Sequence, residues 1–531
     1  MIEASRLTYT YPDGAQPVLR NLDLRVEAGE LLLVAGRSGS GKSTLLRAVN
    51  GLVPHFYGGR FGGRVVVRGL DTRRATPLEL AGQVGFVFQE PEVRFLTGNV
   101  ADEIAFGLEV AGLPAPLIRE RVAQIVERLE LTALVDRPLD RLSGGEQQRV
   151  AVAAAMARQP TVLVMDEPTS QLDAQSAEEA LAWTMELRRQ LGLTVLLSEH
   201  RLGRLIPGAA RVLYLTHDDE ARCGPATAVL ELMPYLPPLM EAAGAVGLPP
   251  AAGLQAGDDL RQRVLAAGCD RSPSRPAPGP IRLAAYDLRF HYDGLLALDG
   301  VSIEVRAGEV LALAGRNGSG KTTLLRCLLG LLTPEQGEVR LNGRRVNEWP
   351  VSRRARHVGY VPQWPSGLLF ADNVRQELWL TLRSHGLESS PPVEPEALLE
   401  ALGLQAVADR YPRDLSSGER QRAAIAAVLV ARPDVVLLDE PTLGIDPLAQ
   451  RDLGALIASW RRAGMGVVLA THDVEFAASH ADTALILEAG RVAGCGPAAE
   501  TLFSRPALRT TLQRLTGQAR PATVRELAQA G

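Results

Sequence analysis

The sequence predicts an α/β fold that is built twice along one chain of 531 residues. The first observation is an internal repeat. "GELLLVAGRSGSGKSTLLRAVNGLV" from Gly29 matches "GEVLALAGRNGSGKTTLLRCLLGLL" from Gly308, and the block from Leu142 matches the block from Leu415. The offset is 279 residues at the glycine loops (315 − 36) and 272 at the histidines (472 − 200). Because order and spacing persist, the chain contains two copies of one structural unit.

The second observation is the alternation of two patterns within each copy. The runs "LLLVAG", "TVLVMD" and "TVLLSEH" are short and rich in Val and Leu, which is typical of buried parallel strands. The segments "LIRERVAQIVERLEL" and "AEEALAWTMELRRQLG" place apolar residues at steps of three and four, which indicates amphipathic helices. Strands that alternate with helices predict a mainly parallel sheet covered by helices.

The third observation is a change of composition between the copies. "AAGLQAGDDL" and "RSPSRPAPGP" are rich in Pro, Gly, Ser and Ala, as linkers are. We therefore expect a first domain over 1–250 that ends in a helical extension, a linker over 251–280, and a second domain over 281–531. A flexible chain of that length reaches roughly 30 Å, so we expect the two domains to pair within one chain.

Composition narrows the class of protein. The formal net charge is −4, which gives no general attraction to nucleic acid or to an anionic lipid surface. The apolar runs are far shorter than the roughly 18–20 residues of a membrane helix, and we see no secretion signal at the start. Four scattered cysteines, Cys223, Cys269, Cys327 and Cys495, lack metal-ligand spacing and suit a reducing cytosol.

Each copy carries the pattern GxxxxGK[ST] between a predicted strand and a predicted helix. In such a loop, backbone N–H groups turn onto phosphate oxygens because the glycines carry no side chains. Lys42 and Lys321 then reach the β- and γ-phosphates, and the hydroxyls of Ser43 and Thr322 ligate Mg²⁺. The candidate ATP-binding residues of the two loops are Gly36, Ser38, Gly39, Gly41, Lys42, Ser43 and Thr44, and Gly315, Asn317, Gly318, Gly320, Lys321, Thr322 and Thr323.

A pair of acidic residues ends a buried strand in each copy, in "VLVMDEP" and "VVLLDEP". The carboxyl ends of strands are where ligands bind in open α/β sheets. We expect Asp166 and Asp439 to hold Mg²⁺ through water. We expect Glu167 and Glu440 to polarise the attacking water as general bases.

Taken together and in order, these motifs resemble those of the ATP-binding-cassette family, over nearly the whole chain. The signature reads "LSGGE" from Leu142 and "LSSGE" from Leu415. The resemblance implies two tandem P-loop NTPase domains, each with a mainly parallel core sheet, an antiparallel β subdomain and a helical signature subdomain. It also implies further site residues: Gln89 and Gln363 as contacts of ATP and Mg²⁺, His200 and His472 as catalytic switch histidines, Tyr11 and Tyr292 as adenine-stacking aromatics, and Asp173 and Asp446 at the ends of the loops "SQLD" and "LGID".

The resemblance also explains why two copies are present. In this family the signature of one domain faces the glycine loop of the other, so ATP joins the two. The expected pockets combine Lys42 with Ser416 and Gly418, and Lys321 with Ser143 and Gly145. The full set of signature residues is Ser143, Gly144, Gly145, Ser416, Ser417 and Gly418. Both copies keep every motif, so we expect two hydrolytically competent sites, although Ser417 replaces the usual second glycine.

One stretch indicates what the ATPase drives. "FQEPEVRFLTGNVADEIAFGLEVAGLP" resembles the corresponding segment of energy-coupling-factor ATPases, which import vitamins and transition metals; the second copy keeps only its outline. The resemblance implies an integral membrane coupling subunit, whose helices insert beside Gln89 and Gln363, and a small membrane protein that binds the substrate. It implies a location at the cytoplasmic face of a prokaryotic cell membrane.

Two alternatives remain open, namely an ATPase of another import family, such as one for sugars, and a tandem-cassette protein that acts on ribosomes. The ribosomal class usually has a long, charged, helical linker and a basic surface, whereas this linker is rich in Pro and Ala. A cassette working on DNA is poorly supported, because the 101 positions between Gly41 and Leu142 (142 − 41) leave no room for a coiled coil. We expect no nucleic-acid partner.

Overall fold

The computed structural model of the chain describes residues 1–12, 14, 16–89, 95–170, 172–199, 211–216, 221–230, 233–267, 279–292 and 294–530. It divides into two compact units, Met1–Pro237 and Pro238–Gly531. Each unit contains one copy of the sequence repeat.

The first unit is built around a six-stranded sheet in the order β10-β9-β3-β8-β7-β6. All neighbours run parallel except β9 and β10. The strands β3, β7 and β8 are buried along their whole length, as their unbroken apolar runs predict. The bounds are β3 Leu31–Gly36, β6 Val84–Val87, β7 Val162–Asp166, β8 Thr194–Ser198, β9 Arg211–Leu215 and β10 Arg222–Pro225.

A second, antiparallel sheet of the first unit has the order β2-β1-β4-β5. Its strands alternate buried and exposed residues because only one face meets the core. That core also includes the helix Lys42–Val49 and the central strands. The bounds are β1 Ile2–Thr10, β2 Leu19–Val26, β4 Arg60–Val67 and β5 Leu70–Asp71.

Helices complete the first unit, and α4, α5 and α6 pack together as a helical subdomain. The bounds are α1 Lys42–Val49, α2 Leu52–His55, α3 Pro77–Ala81, α4 Val100–Val110, α5 Ala115–Arg128, α6 Gly144–Met156, α7 Ala174–Leu191 and α8 Ala226–Leu230. Within the described residues, neither unit contains a helix that is both long and apolar enough to span a membrane.

The second unit repeats this architecture, with sheets in the orders β16-β17-β18-β13-β19-β20 and β12-β11-β14-β15. The strands are β11 Ile281–Tyr292, β12 Leu295–Arg306, β13 Val310–Ala314, β14 Gln336–Leu341, β15 Arg344–Arg345, β16 Val358–Val361, β17 Val435–Asp439, β18 Gly466–Ala470, β19 Thr483–Glu488 and β20 Arg491–Pro497. The helices are α9 Pro238–Ala245, α10 Asp258–Ala267, α11 Lys321–Leu328, α12 Val351–His357, α13 Val374–Ser384, α14 Pro395–Ala401, α15 Ser417–Leu429, α16 Pro447–Arg462, α17 Val474–His480, α18 Ala498–Phe503, α19 Thr511–Thr516 and α20 Val524–Ala530. The predicted α/β class is confirmed in both units.

The segment between the repeats differs from the expected boundaries. Helices α9 and α10 belong to the second unit and pack against α19 and α20 at the end of the chain. Their shared core consists of Ala242, Ala243, Leu260, Val264, Leu512 and Leu527. Composition concealed this because Pro and Gly surround two short amphipathic helices. Of the linker expected over 251–280, residues 268–278 lie outside the described part of the chain.

Leu260→Ala should destabilise the second unit. The Leu260 side chain is buried in the core of α10, α19 and α20, and such truncations cost about 2–5 kcal/mol. Hydrogen–deuterium exchange of Thr511–Thr516 should accelerate, whereas the exposed neighbour variant Arg261→Ala should leave it unchanged. Acceleration confined to the first unit would contradict the placement of α10.

Candidate active sites

Each glycine loop joins a central strand to the helix that follows it, β3 to α1 and β13 to α11. Gly41 and Gly320 precede these helices in the left-handed region, with φ of 96° and 105°. A Cβ on Gly41 would lie 2.7 Å from Leu19 Cδ2, and one on Gly320 would lie 2.6 Å from the Ala297 carbonyl oxygen. Glycine is therefore required where each loop enters its helix, and the helix N–H groups face a loop able to cradle phosphate.

The loop lysines are buried and folded over the loop. Lys42 Nζ donates to the carbonyls of Gly36 (3.0 Å) and Arg37 (3.1 Å) and lies 3.9 Å from Glu167 Oε1. The equivalent amine of Lys321 donates to the carbonyls of Gly315 (2.8 Å) and Arg316 (3.2 Å). It lies 3.8 Å from Glu440 Oε1. Each ammonium is thus held between its loop and the acidic strand end of the same unit.

These two lysines are the only lysines in the sequence, whose 57 basic residues are otherwise arginines. A compact ammonium and a planar guanidinium are not interchangeable at a tight phosphate site. The composition therefore marks the two loops independently of their glycine spacing, a signal that inspection of the motifs alone overlooks.

The strand-end aspartates meet the loop hydroxyls. Thr322 Oγ1 donates to Asp439 Oδ2 at 2.9 Å, and in the first unit the Ser43 side chain favours the charged form of Asp166 and so acts to lower its pKa. Asp439 Oδ1 is buried and has no hydrogen-bond partner among the described residues. Burial raises the pKa of both aspartates, which a nearby cation would oppose. A hydroxyl beside a carboxylate with a spare oxygen fits Mg²⁺, which prefers hard oxygen ligands.

The adjacent glutamates adopt strained backbone. Glu167 and Glu440 have φ of 46° and 50°, a conformation that costs energy for residues other than glycine and concentrates at functional sites. Glu440 Oε2 lies 2.8 Å from His472 Nδ1. Burial acts to raise the pKa of Glu440, but the His472 imidazole and the Lys321 ammonium lower it to about 2. The carboxylate therefore stays ionised, as a general base must.

The two glutamines differ in their contacts. Gln89 Nε2 donates to Glu167 Oε2 at 2.9 Å, so the structure brings these two expected residues together. Gln363 is partly buried just beyond β16. His200, the expected switch histidine of the first unit, lies outside the described residues.

The two tyrosines also differ. The Tyr11 hydroxyl lies within hydrogen-bonding distance of Thr44 Oγ1 (3.2 Å) and accepts from Arg47 (3.1 Å), next to the first glycine loop. Tyr292 is 38% exposed and packs edge-on against Phe290. Tyr11 directly follows β1 and Tyr292 ends β11; of the two, Tyr11 contacts the loop helix through these hydrogen bonds.

The signature residues begin helices in both units. Ser143 and Ser416 are the N-caps of α6 and α15, and each forms a capping box with a glutamate three residues on, Glu146 or Glu419. Gly144 and Gly145 open α6, and 417–418 open α15. Asp173 and Asp446 are the N-caps of α7 and α16, and the side chain of each accepts a hydrogen bond from the backbone N–H three residues on. Each signature thus presents a helix N-terminus, which favours an anion.

Sequence reasoning missed three polar residues beside the acidic strand ends. The Ser198 hydroxyl donates to Asp166 Oδ1 at 2.8 Å, and the Tyr360 hydroxyl donates to Asp439 Oδ2 at 3.3 Å. Glu199 is buried and accepts a hydrogen bond from the Thr169 hydroxyl. Pairing the strand ends by register would have located Ser198, which lies directly opposite Asp166.

Comparison with known proteins agrees with this geometry. The pattern of the ABC transporter family matches residues 19–170 and 298–443, more than half of the chain. The chain belongs to the ABC transporter family. As a member it is an ATPase, and the family in general binds ATP with Mg²⁺.

Relatives of this ABC protein extend over its full length. A protein of Streptomyces avermitilis with the provisional name ABC transporter ATP-binding protein is 40% identical over 100% of both chains. One of Methanosarcina acetivorans with the same provisional name is 35% identical over 95% of this chain and 87% of its own. The solved structure of an RNase-L inhibitor covers 94% of this chain and 92% of its own, with a TM-score of 0.59. Its identity is 22%, so that likeness concerns the fold alone.

Proposed function

We propose that each unit binds ATP and Mg²⁺ at the sites described above and hydrolyses the ATP. The observation that carries the proposal is that, in both units, a lysine, a hydroxyl and two acidic side chains lie together at the carboxyl ends of the central strands. In the second unit these are Lys321, Thr322, Asp439 and Glu440, with His472 bonded to Glu440. The first unit has Lys42, Ser43, Asp166 and Glu167, with Gln89 bonded to Glu167.

The residues divide the chemistry among them. Mg²⁺, when bound, neutralises charge on the phosphates. Thr322 and Asp439 are placed to hold it, and the Lys321 ammonium is placed to contact the phosphates. Glu440 is placed to accept the proton of the attacking water. His472 keeps that carboxylate oriented and ionised through its 2.8 Å contact.

We also propose that the signature residues complete the site of the other unit. This pairing rests on the resemblance of both sequence copies to the family. In it, Ser143 and Gly145 serve the site of Lys321, and Ser416 and Gly418 serve that of Lys42. The N-terminus of a capped helix favours the negative charge of a phosphate. ATP would then hold the units together, and its hydrolysis would release them.

We propose further that the ATPase drives import through separate membrane subunits of the energy-coupling-factor type. The relatives' provisional names and the segment "DEIAFGLE" support it. In the structure this segment lies on α4, where Phe106 and Val110, one helical turn apart, are 37% and 59% exposed. Phe370, shortly after Gln363, is 76% exposed. Exposed apolar side chains that follow each glutamine along the chain suit a protein partner.

A photo-reactive phenylalanine at position 106 or 370 tests the import proposal. Cross-linking in membranes of the native cell should capture an integral membrane protein from either position. The control position is Val492, which is 38% exposed on β20, at the opposite edge of the second unit's sheet from β16. It should capture none.

The same experiment separates the import role from the ribosomal alternative. Ribosomal proteins captured at 106 or 370, with ATPase activity intact, would contradict import and favour a role on ribosomes. The likeness to the RNase-L inhibitor is confined to the fold and favours neither outcome.

A further inference from the structure

Besides the hydroxyls of the glycine loops, different hydroxyl groups contact the proposed magnesium-binding aspartates, Asp166 and Asp439, in the two units. In the first unit, the Ser198 hydroxyl at the end of β8 donates to Asp166 Oδ1 at 2.8 Å. In the second, the Tyr360 hydroxyl on β16 donates to Asp439 Oδ2 at 3.3 Å. Because β8 and β6 flank β7, and β18 and β16 flank β17 in the same order, the two donors come from opposite sides of the aspartate strand.

The exchange is reciprocal at the level of sequence. Ala470 holds the register position of Ser198, since it pairs with Asp439 as Ser198 pairs with Asp166. Phe86 holds the position of Tyr360, the third residue of the edge strand in each unit. Of these two positions, each unit therefore has a hydroxyl donor at one and a side chain without a hydroxyl at the other.

The Ser198 hydroxyl makes two contacts at once. Besides donating to Asp166, it accepts from the backbone N–H of Glu167 at 2.9 Å, and its side chain is fully buried. The Glu167 N–H also donates to the Ser198 carbonyl at 3.2 Å, and in the second unit the equivalent N–H of Glu440 donates to the Ala470 carbonyl at 2.8 Å without a hydroxyl beside it. The Ser198 hydroxyl thus links the aspartate to the strained backbone of the neighbouring glutamate, whereas the Tyr360 hydroxyl donates to the aspartate and lies beside the Arg326 guanidinium.

We propose that Ser198 and Tyr360 are alternative positioning residues, each fixing the carboxylate plane of its own magnesium aspartate. The inference rests on the proposed function of these aspartates as magnesium ligands. Hydrogen-bond partners of metal-binding carboxylates commonly affect metal affinity about 10–100-fold. The shorter contact of Ser198 predicts the larger dependence, because 3.3 Å is long for a hydroxyl donor.

Manganese binding tests this without reference to turnover. Mn²⁺ titrations of the full chain with a non-hydrolysable ATP analogue, followed by electron paramagnetic resonance, should show two ions per chain in the wild type. Ser198→Ala should weaken one of the two sites by about 10-fold or more. Tyr360→Phe should weaken the other by a smaller factor.

Rescue distinguishes positioning from a merely structural role. Adding Phe86→Tyr to Ser198→Ala supplies the hydroxyl from the other side and should restore Mn²⁺ affinity. Adding Ala470→Ser to Tyr360→Phe should likewise restore Mn²⁺ affinity in the second unit. These two variants test the proposal if Ser198→Ala does not fold. The control Tyr286→Phe removes an exposed hydroxyl on β11 and should change neither site.

Two results overturn different claims. The positioning role alone is overturned if the wild type has two Mn²⁺ sites and neither Ser198→Ala nor Tyr360→Phe changes their affinity. It is also overturned if these variants bind Mn²⁺ more weakly and the second substitutions do not restore the affinity. A wild-type chain that binds no Mn²⁺ with the analogue would overturn the proposed function on which it rests.

Discussion

The double variant Glu167→Gln, Glu440→Gln should hydrolyse ATP about 10²–10⁴-fold more slowly than the wild type, the usual contribution of a general base. Glutamine keeps the size of the side chain but cannot accept the water proton. Glu440 is placed for the role because its carboxylate lies 3.8 Å from the Lys321 ammonium and 2.8 Å from His472 Nδ1 at the end of β17. Steady-state phosphate release measures the loss.

The single variants report whether the two sites work independently. If they do, Glu440→Gln alone should leave at most about half of the activity, supplied by the first unit. If turnover requires both sites, either substitution alone should approach the double variant. Full activity in one single variant would mean that its site was already silent, contrary to our expectation of two competent sites.

Matched controls are available on exposed helical positions. Glu127→Gln on α5 and Glu400→Gln on α14 change exposed glutamates, and both should retain wild-type turnover. A comparable loss in a control would assign the effect to altered charge or folding instead of the base.

Lys321→Met should weaken nucleotide binding in the second unit by about 10–150-fold or more, and Lys42→Met should do so in the first. Methionine matches the length of lysine but cannot bond to phosphate. Hydrogen bonds to charged groups contribute about 1.5–3 kcal/mol each, or about 10–150-fold in affinity. Calorimetric titration of each variant with ATP should show one of the two binding events weakened by at least this factor.

The scarcity of lysine permits a second, direct readout. Lys42 and Lys321 carry the only side-chain amines in the sequence, so an amine-selective reagent can modify the chain only at these lysines and at its amino terminus. ATP with Mg²⁺ should protect both lysines, as mass spectrometry would reveal. Equal modification with and without nucleotide would contradict a role in phosphate binding. Lys321→Arg should not restore binding, because a guanidinium differs in shape and hydration.

Much of the fold and of each site followed from the sequence. Unbroken apolar runs identified β3, β7 and β8, and the glycine and acidic motifs fall at their carboxyl ends. Local patterns succeed here because a parallel sheet gathers the ends of its strands at one edge.

Contacts between strands could not be predicted in the same way. Neither Ser198 nor Tyr360 belongs to a motif. Ser198 is important because it pairs with Asp166 in the strand register, and Tyr360 because its hydroxyl donates to Asp439. The location of α10 was also missed, because its apolar residues find their partners in α19 and α20, far along the chain.

The stoichiometry of bound ATP tests the central claim that both units are ATP sites. The variant Glu167→Gln, Glu440→Gln, incubated with ATP and Mg²⁺, should retain two molecules of unhydrolysed ATP per chain after rapid desalting and nucleotide quantification. One molecule of ATP per chain, or none, would contradict the claim that Lys42 and Lys321 each belong to an ATP site.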